Sequence, residues 1–189
     1  MTQYLLPNQL PVIDDLFRER NQQFVTVLKN LKLKDVETDE ALAKTSERIK
    51  QDILLSPVHI GEPRIIDNFQ ETRPIPAHMG LGSTSREVEV VVVNFPFNGS
   101  SEIFGYIAAG VIYVDRGVAQ PENNELNVEV ELGRLDKEEA LSQAKKTMEN
   151  TLSIINQNNP HVLAWNDGFI IRLGVELKRR QKELLDLYS

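Results

Sequence analysis

The last third of the chain follows a helical hydrophobic spacing, so any fold must bury one long apolar stripe. The stripe starts after Asp136, which has Glu139 three residues on, as in a helix-capping box. A break within 157–160 predicts two helices that form a hairpin over residues 136–188. The apolar residues recur every three or four positions and include Leu141, Ala144, Met148, Leu152, Ile155, Trp165, Phe169, Leu173, Val175, Leu177 and Leu184.

Four residues near the predicted break have individual interpretations. Trp165 is the only tryptophan, and we expect it to anchor packed helices. Asn166 is predicted either to cap the break or to satisfy backbone groups across the hairpin. Gly168 and Gly174 would each cost about 1 kcal/mol in a helix interior relative to alanine. Either the helix approaches a neighbour closely at these glycines, or it is shorter than its spacing suggests.

Residues 86–132 carry strand patterns. Residues 125–132 alternate between apolar and polar side chains, which is typical of a half-solvated antiparallel strand. Residues 87–97 are rich in valine, and their far end is apolar on both faces, so we expect it to be covered on both sides. Further strands are predicted at 102–107 and 111–114. The pattern predicts an α+β fold in which a central antiparallel sheet of four or five strands packs on the helical hairpin.

The first part of the chain predicts a helical pair. One helix is predicted over residues 10–33, and a second starts at Thr38 and ends before Pro57. Residues 57–85 are rich in proline and glycine and are interpreted as a long irregular connection, in which short strands could form at 58–60 and 64–66. We therefore expect an N-terminal helical segment at 1–56 and an α+β core domain at 57–189.

Composition excludes several classes of function. The net charge is −7, which disfavours a nucleic-acid partner because phosphate binding needs a basic excess. The chain has no cysteine, which rules out disulfides, thiolate catalysis and zinc–thiolate sites. The longest apolar run is too short to cross a membrane. We expect a cytoplasmic protein without a membrane partner, a metal site, another cofactor or assigned catalytic residues.

The irregular segment contains one candidate ligand site. His59, Arg64, Arg73 and His78 are the residues there that could bind an anion or a small molecule. The simpler interpretation is that these histidines are exposed or hydrogen-bonded loop residues. If the side chains converge, the segment would form the site of a small-molecule sensor or a hydrolase.

Two charged groups are candidate partner-binding surfaces. The acidic residues Glu125, Glu129 and Glu131 line one face of a predicted strand, where they could contact a basic partner or simply face water. A basic group lies toward the end of the last helix, where it could bind a partner or only complement the helix dipole. Its members are Arg172, Lys178, Arg179 and Arg180.

The order of several motifs resembles a known group of proteins. The stretch 94–99, Asn-Phe-Pro-Phe-Asn-Gly, precedes Ile103-Phe104, and Trp165-Asn166 and Lys178-Arg179-Arg180 follow much later. This order is similar to a family of uncharacterised bacterial proteins with a PFxG…LF strand-turn-strand and a C-terminal helix pair that carries an asparagine and a basic cluster. The resemblance implies a link to bacterial defence genes, including those against phage, and it implies no catalytic residues.

The leading hypothesis is a non-enzymatic interaction or regulatory component of a bacterial multi-protein system. Its partner would be another protein or a second copy of the chain. The alternative is the sensor or hydrolase with a site on 57–85, and a self-assembling structural protein is a third hypothesis.

Overall fold

The computed structural model describes residues 3–75, 84–110 and 117–188. The predicted strand at 111–114 and the candidate residue His78 lie outside these ranges. Three α-helices and seven strands are assigned within the described residues, so the mixed α+β class is confirmed. The helices are α1 (Ile13–Asn30), α2 (Asp39–Ile53) and α3 (Lys137–Tyr188). The strands are β1 (Gln3–Leu5), β2 (His59–Ile60), β3 (Arg64–Ile75), β4 (Thr84–Phe95), β5 (Phe97–Asn98), β6 (Val118–Gln120) and β7 (Leu126–Glu131).

The strands form three small antiparallel sheets rather than one central sheet of four or five strands. The largest has the order β3-β4-β7, while β1 pairs with β6 and β2 pairs with β5. The prediction of a strand at 102–107 was wrong, because Ser101–Gly105 is a 3₁₀ helix that buries Ile103 and Phe104 completely. The strand β6 does not belong to the main sheet either, because it pairs with the N-terminal β1.

In the predicted irregular connection 57–85, the short strands expected at 58–60 and 64–66 are present as β2 and the start of β3, but β3 continues to Ile75. β3 pairs with β4 from Arg64 to Ile75, with one bulge near Ile66. The prediction failed because β3 is an edge strand whose described side chains are mostly exposed, so its sequence lacks the apolar run of a buried strand. Pro74 is tolerated near its end because an edge strand has backbone groups that need no partner within the sheet.

The predicted helical hairpin is instead a single helix, α3, about 78 Å long at 1.5 Å per residue. Pro160 lies inside it, although proline removes one helical hydrogen bond. A buried stripe continues on both sides of this proline, with Ile155 and Val162 almost fully buried. Burial of that stripe against the rest of the fold offsets the local cost of the proline.

The predicted helix starts after Asp136 and Thr38 are confirmed by their capping hydrogen bonds. Asp136 Oδ1 accepts a hydrogen bond from the Glu139 N–H at 2.8 Å, and Glu139 Oε2 accepts one from the Asp136 N–H at 2.9 Å. Thr38 Oγ1 caps α2 by accepting from the Ala41 N–H at 3.1 Å. The alternation in β7 is also confirmed, since Leu126, Val128 and Val130 are buried and the residues between them are half-buried.

α3 joins two hydrophobic clusters. Its first half packs on the β3-β4-β7 sheet, where Val93 and Phe95 are buried. Its second half packs on α1 and α2 through residues such as Phe169. Trp165 contacts both clusters, and its ring stacks on Phe17 with centroids 5.1 Å apart. The prediction that Trp165 anchors packed helices is confirmed.

Amide side chains on α3 satisfy the backbone of segments that cross the helix. Asn158 accepts a hydrogen bond from the Ala108 N–H at 2.8 Å and donates to the Tyr106 carbonyl at 2.8 Å. Asn159 bonds both the N–H and the carbonyl of Val58 at 2.9 and 2.7 Å. Asn166 does the same for Leu55, so its predicted backbone-satisfying role is confirmed, although no hairpin exists.

We expect Asn158→Ala to lower the free energy of unfolding by about 3 kcal/mol, because it leaves a buried N–H and a part-buried carbonyl without their side-chain partner. Urea denaturation would measure the loss. Asn156→Ala is the matched control, since Asn156 is exposed on the same helix and its loss should cost less than about 0.5 kcal/mol. An equal effect of both substitutions would contradict this role for Asn158.

Pro160→Ala should stabilise the protein, because it restores a helical hydrogen bond at an exposed position. Proline costs about 3 kcal/mol in a helix interior. Alanine makes the unfolded chain more flexible than proline does, which lowers the stability of the variant by up to about 1 kcal/mol. The expected gain is therefore about 2 kcal/mol, measured by the same denaturation. A loss of stability would show that the backbone conformation around Pro160 favours proline over alanine.

Candidate functional site

A groove of about 330 Å³ runs between α1 and the second half of α3. It joins apolar and charged side chains in one concave surface. α1 supplies one wall and the floor, and α3 supplies the other wall. Its lining residues are Asn21, Phe24, Val25, Leu28, Lys29, Arg172, Glu176, Arg179, Arg180 and Glu183.

The floor of the groove is apolar. Phe24 and Leu28 are buried, whereas Val25 is 46% exposed. The Phe24 ring meets the Phe169 ring edge-on, with centroids 5.0 Å apart. Aromatic pairs in this arrangement hold each other's orientation. An apolar side chain placed in the groove would therefore meet a preformed surface.

Arg172 lies over this aromatic pair. Its guanidinium carbon is 5.8 Å from the Phe24 ring centre and 5.6 Å from that of Phe169. The same group donates a hydrogen bond to Asn21 Oδ1. Cation–π contact with two rings positions the guanidinium, which has five N–H donors in total. Arg172 can therefore present donors to an anion without first becoming ordered.

Arg179 and Arg180 extend the positive charge along the groove. Arg179 donates to Glu176 at 2.7 and 3.0 Å and to Glu183 at 2.9 Å. The hydrogen bond with Glu176 is the main cause of the raised pKa of Arg179. Arg180 donates to the Lys29 carbonyl at 3.3 Å and so contacts the last turn of α1. Four cations and two carboxylates line the groove, leaving it net positive in a chain of net charge −7.

The structure divides the predicted basic group. Arg172, Arg179 and Arg180 converge on the groove, but Lys178 lies on another side of α3 and does not line it. Sequence reasoning missed the α1 residues of the site, including Phe24 and Lys29. The only available signal was the amphipathic pattern of α1, which does not tell which helix packs beside it.

A second charged cluster joins residues that were predicted to belong to separate sites. Arg73 donates to Glu71 at 2.9 Å and lies 3.5 Å from Glu129 and 3.8 Å from Glu131. Arg86 also bonds Glu131, at 2.6 Å. The hydrogen bond with Glu71 is the main cause of the raised pKa of Arg73. The candidate anion ligand Arg73 is thus paired with two of the candidate partner-binding carboxylates.

This cluster covers part of the sheet. β4 lies between β3 and β7, so the Arg73 side chain must cross β4 to reach Glu129 and Glu131. Val90, which pairs with Glu131 in register, has no exposed surface. Arginine commonly lays its aliphatic stem over apolar surface in this way. The arrangement therefore explains the burial of valines on a sheet face that carries many charges.

The other candidate ligand residues do not join Arg73. Arg64 and Arg73 lie nine residues apart on one strand, which separates them by about 30 Å. His59 is exposed in β2 opposite Asn98. Glu125 lies at a turn, where its side chain accepts a hydrogen bond from Asn127 at 2.9 Å. The alternative function on 57–85 stays a prediction.

No group of three or more histidine, aspartate or glutamate side chains in residues 3–75, 84–110 and 117–188 is arranged to hold a metal ion. None of the helices assigned in those ranges is both long enough and apolar enough to cross a membrane.

Comparison with known proteins identifies no relative. No protein-family model matches the chain, and neither the curated proteins nor the solved structures contain a match. The resemblance to a bacterial family described above therefore stays a prediction, and the function has to be argued from the groove itself.

We expect Arg73→Gln to lower the thermal midpoint of unfolding, because it leaves three neighbouring carboxylates to repel one another and uncovers β4. Differential scanning fluorimetry at low and at high salt would measure it, and the loss should shrink at high salt. Arg64→Gln is the control, since Arg64 is exposed on the same strand. Equal midpoints for the two variants would contradict the proposed covering role.

Proposed function

We propose that the protein is a non-enzymatic interaction or regulatory component of a bacterial multi-protein system, and that it holds its partner in the groove between α1 and α3. The observation that carries the proposal is the combination of an aromatic floor with four cations in one concave surface. The bacterial setting, and with it a role in phage defence, rests on the sequence resemblance.

The chemistry of the groove favours one class of partner. Its apolar floor fits a leucine- or phenylalanine-sized side chain, and its arginines fit carboxylates. An acidic segment of a partner protein with one apolar anchor would satisfy both features. The chain as a whole is acidic and would repel an acidic segment, whereas the positive groove would attract it. This difference would direct the segment to the groove and orient it there.

The groove holds its charges in place before any partner arrives. Arg172 is held by two rings and Asn21, and Arg179 is held by Glu176 and Glu183. Ordering flexible side chains on binding normally costs about 0.5–1.5 kcal/mol each. Part of this cost is already met in the folded protein, which supports the groove as a binding surface.

A peptide titration tests the proposal. The probe is a fluorescent ten-residue peptide with one phenylalanine among glutamates, and its control carries lysines in place of the glutamates. We expect fluorescence anisotropy to show binding of the acidic peptide only. Arg172→Ala combined with Arg179→Ala should weaken it by about a hundredfold or more, since each of the two lost charged contacts is worth about 1.5–3 kcal/mol.

Lys178→Ala is the matched control for this titration, because Lys178 is a neighbouring cation that does not line the groove. It should leave the affinity unchanged. Equal weakening by Lys178→Ala would assign the binding to overall charge and contradict a specific groove. Tight binding of the lysine peptide would contradict the proposed partner chemistry.

A further inference from the structure

A second surface of α3 exposes apolar side chains on a side of the helix away from the groove. Ile171 is 71% exposed and Val175 is 62% exposed. With 100° of rotation per residue, Ile171 lies about 80–100° around the helix from Arg172 and Arg179. The two side chains lie on one face of the helix, about 40° apart, and each exposes more than half of its surface.

Gly168 and Gly174 lie beside these side chains. A Cβ atom at either position would meet no heavy atom within 4 Å, so no neighbouring segment of the described chain explains the glycines. The expectation that a close neighbour requires them is therefore not met within the described chain. Each glycine costs about 1 kcal/mol in the helix, and together they leave two shallow notches next to Ile171 and Val175.

We propose that a second copy of the chain packs here, with the two α3 helices antiparallel about a twofold axis between residues 172 and 173. Such an axis places residue i opposite residue 345 − i of the other copy. Ile171 then lies against Gly174 of the second copy, and Val175 lies beside its Gly168. Each notch receives a branched side chain, which is how closely packed helices interlock.

Charge complementarity selects this register. The same axis places Asp167 opposite Lys178 of the second copy, and both residues lie within about 40° of Ile171 on the helix face. Both are exposed, and neither forms an ion pair with another residue in the part of the chain that the structure describes. The twofold axis creates this pair twice, so two ion pairs flank the apolar centre.

The apolar contact also extends outward along the helix. Leu185 is 43% exposed and falls opposite Pro160 of the second copy, which is exposed as well. The contact from 160 to 185 is about 38 Å long. The arginines of the groove are not among the residues of this contact, although two of them lie next to it, about 40–60° around the helix from Val175. The inference is thus independent of the proposed function.

Sedimentation equilibrium of the full-length protein tests for the dimer. We expect a concentration-dependent dimer that Ile171→Asp converts to a monomer. Val25→Asp is the matched control, because Val25 is also an exposed apolar residue but lies on α1. A wild-type monomer at every concentration would overturn the proposal, as would dissociation by Val25→Asp alone. Circular dichroism would verify that each variant is folded.

A charge exchange tests the register. Asp167→Lys and Lys178→Asp should each weaken dimerisation by about tenfold, since each juxtaposes like charges twice. The double variant restores the pairs in the opposite sense and should recover the wild-type dissociation constant. Failure to recover would overturn the proposed register.

Crosslinking distinguishes antiparallel from parallel packing, and the cysteine-free chain allows single cysteines to be placed freely. A mixture of Asp167→Cys and Lys178→Cys proteins should be joined by a short bis-maleimide. Either variant alone should not be joined, because the two copies of each residue would lie about 16 Å apart along the helix. Crosslinking of either variant alone, or none in the mixture, would overturn the antiparallel dimer.

Discussion

The fold depends on hydrogen bonds from the amide side chains of α3 to backbone groups that have no secondary-structure partner. The segments around 55–58 and 106–108 cross the helix without pairing in a sheet, so their N–H and carbonyl groups would otherwise be buried at a cost of about 1–3 kcal/mol each. Asn158, Asn159 and Asn166 satisfy these groups with both ends of the amide. Because an amide both donates and accepts, one side chain can replace a whole backbone partner.

This arrangement explains why α3 is a single helix. Hydrogen bonds connect α3 to the chain before β2 and to the region of the 3₁₀ helix Ser101–Gly105. The sheet packs on the first half of α3, and α1 and α2 pack on the second half. Trp165 packs against the hydrophobic clusters of both halves of α3. A bend at Pro160 would separate the two halves and break part of these contacts. Continuity of the buried stripe therefore opposes the local tendency of proline to end a helix.

Charge is organised locally on this scaffold. The acidic strand face is partly neutralised by Arg73 and Arg86, whereas the arginines of the α1–α3 groove outnumber its carboxylates. Ion pairs within one helix, such as Arg179 with Glu183, hold charged side chains near a groove without removing its net charge. The groove and the proposed dimer face use different residues of the same helical half.

The sequence by itself determined the local structure: the caps at Thr38 and Asp136, the alternation of β7, and the helical stripe of the last third. Each of these is encoded by residues within one or two turns or one strand, so periodicity and capping report it directly. Only the tertiary structure decided that β6 pairs with β1, that β3 is a full-length strand, that the helix continues through Pro160, and that Arg73 meets Glu129 and Glu131. These outcomes depend on contacts between residues far apart in the chain, where burial and satisfied backbone groups outweigh local preference.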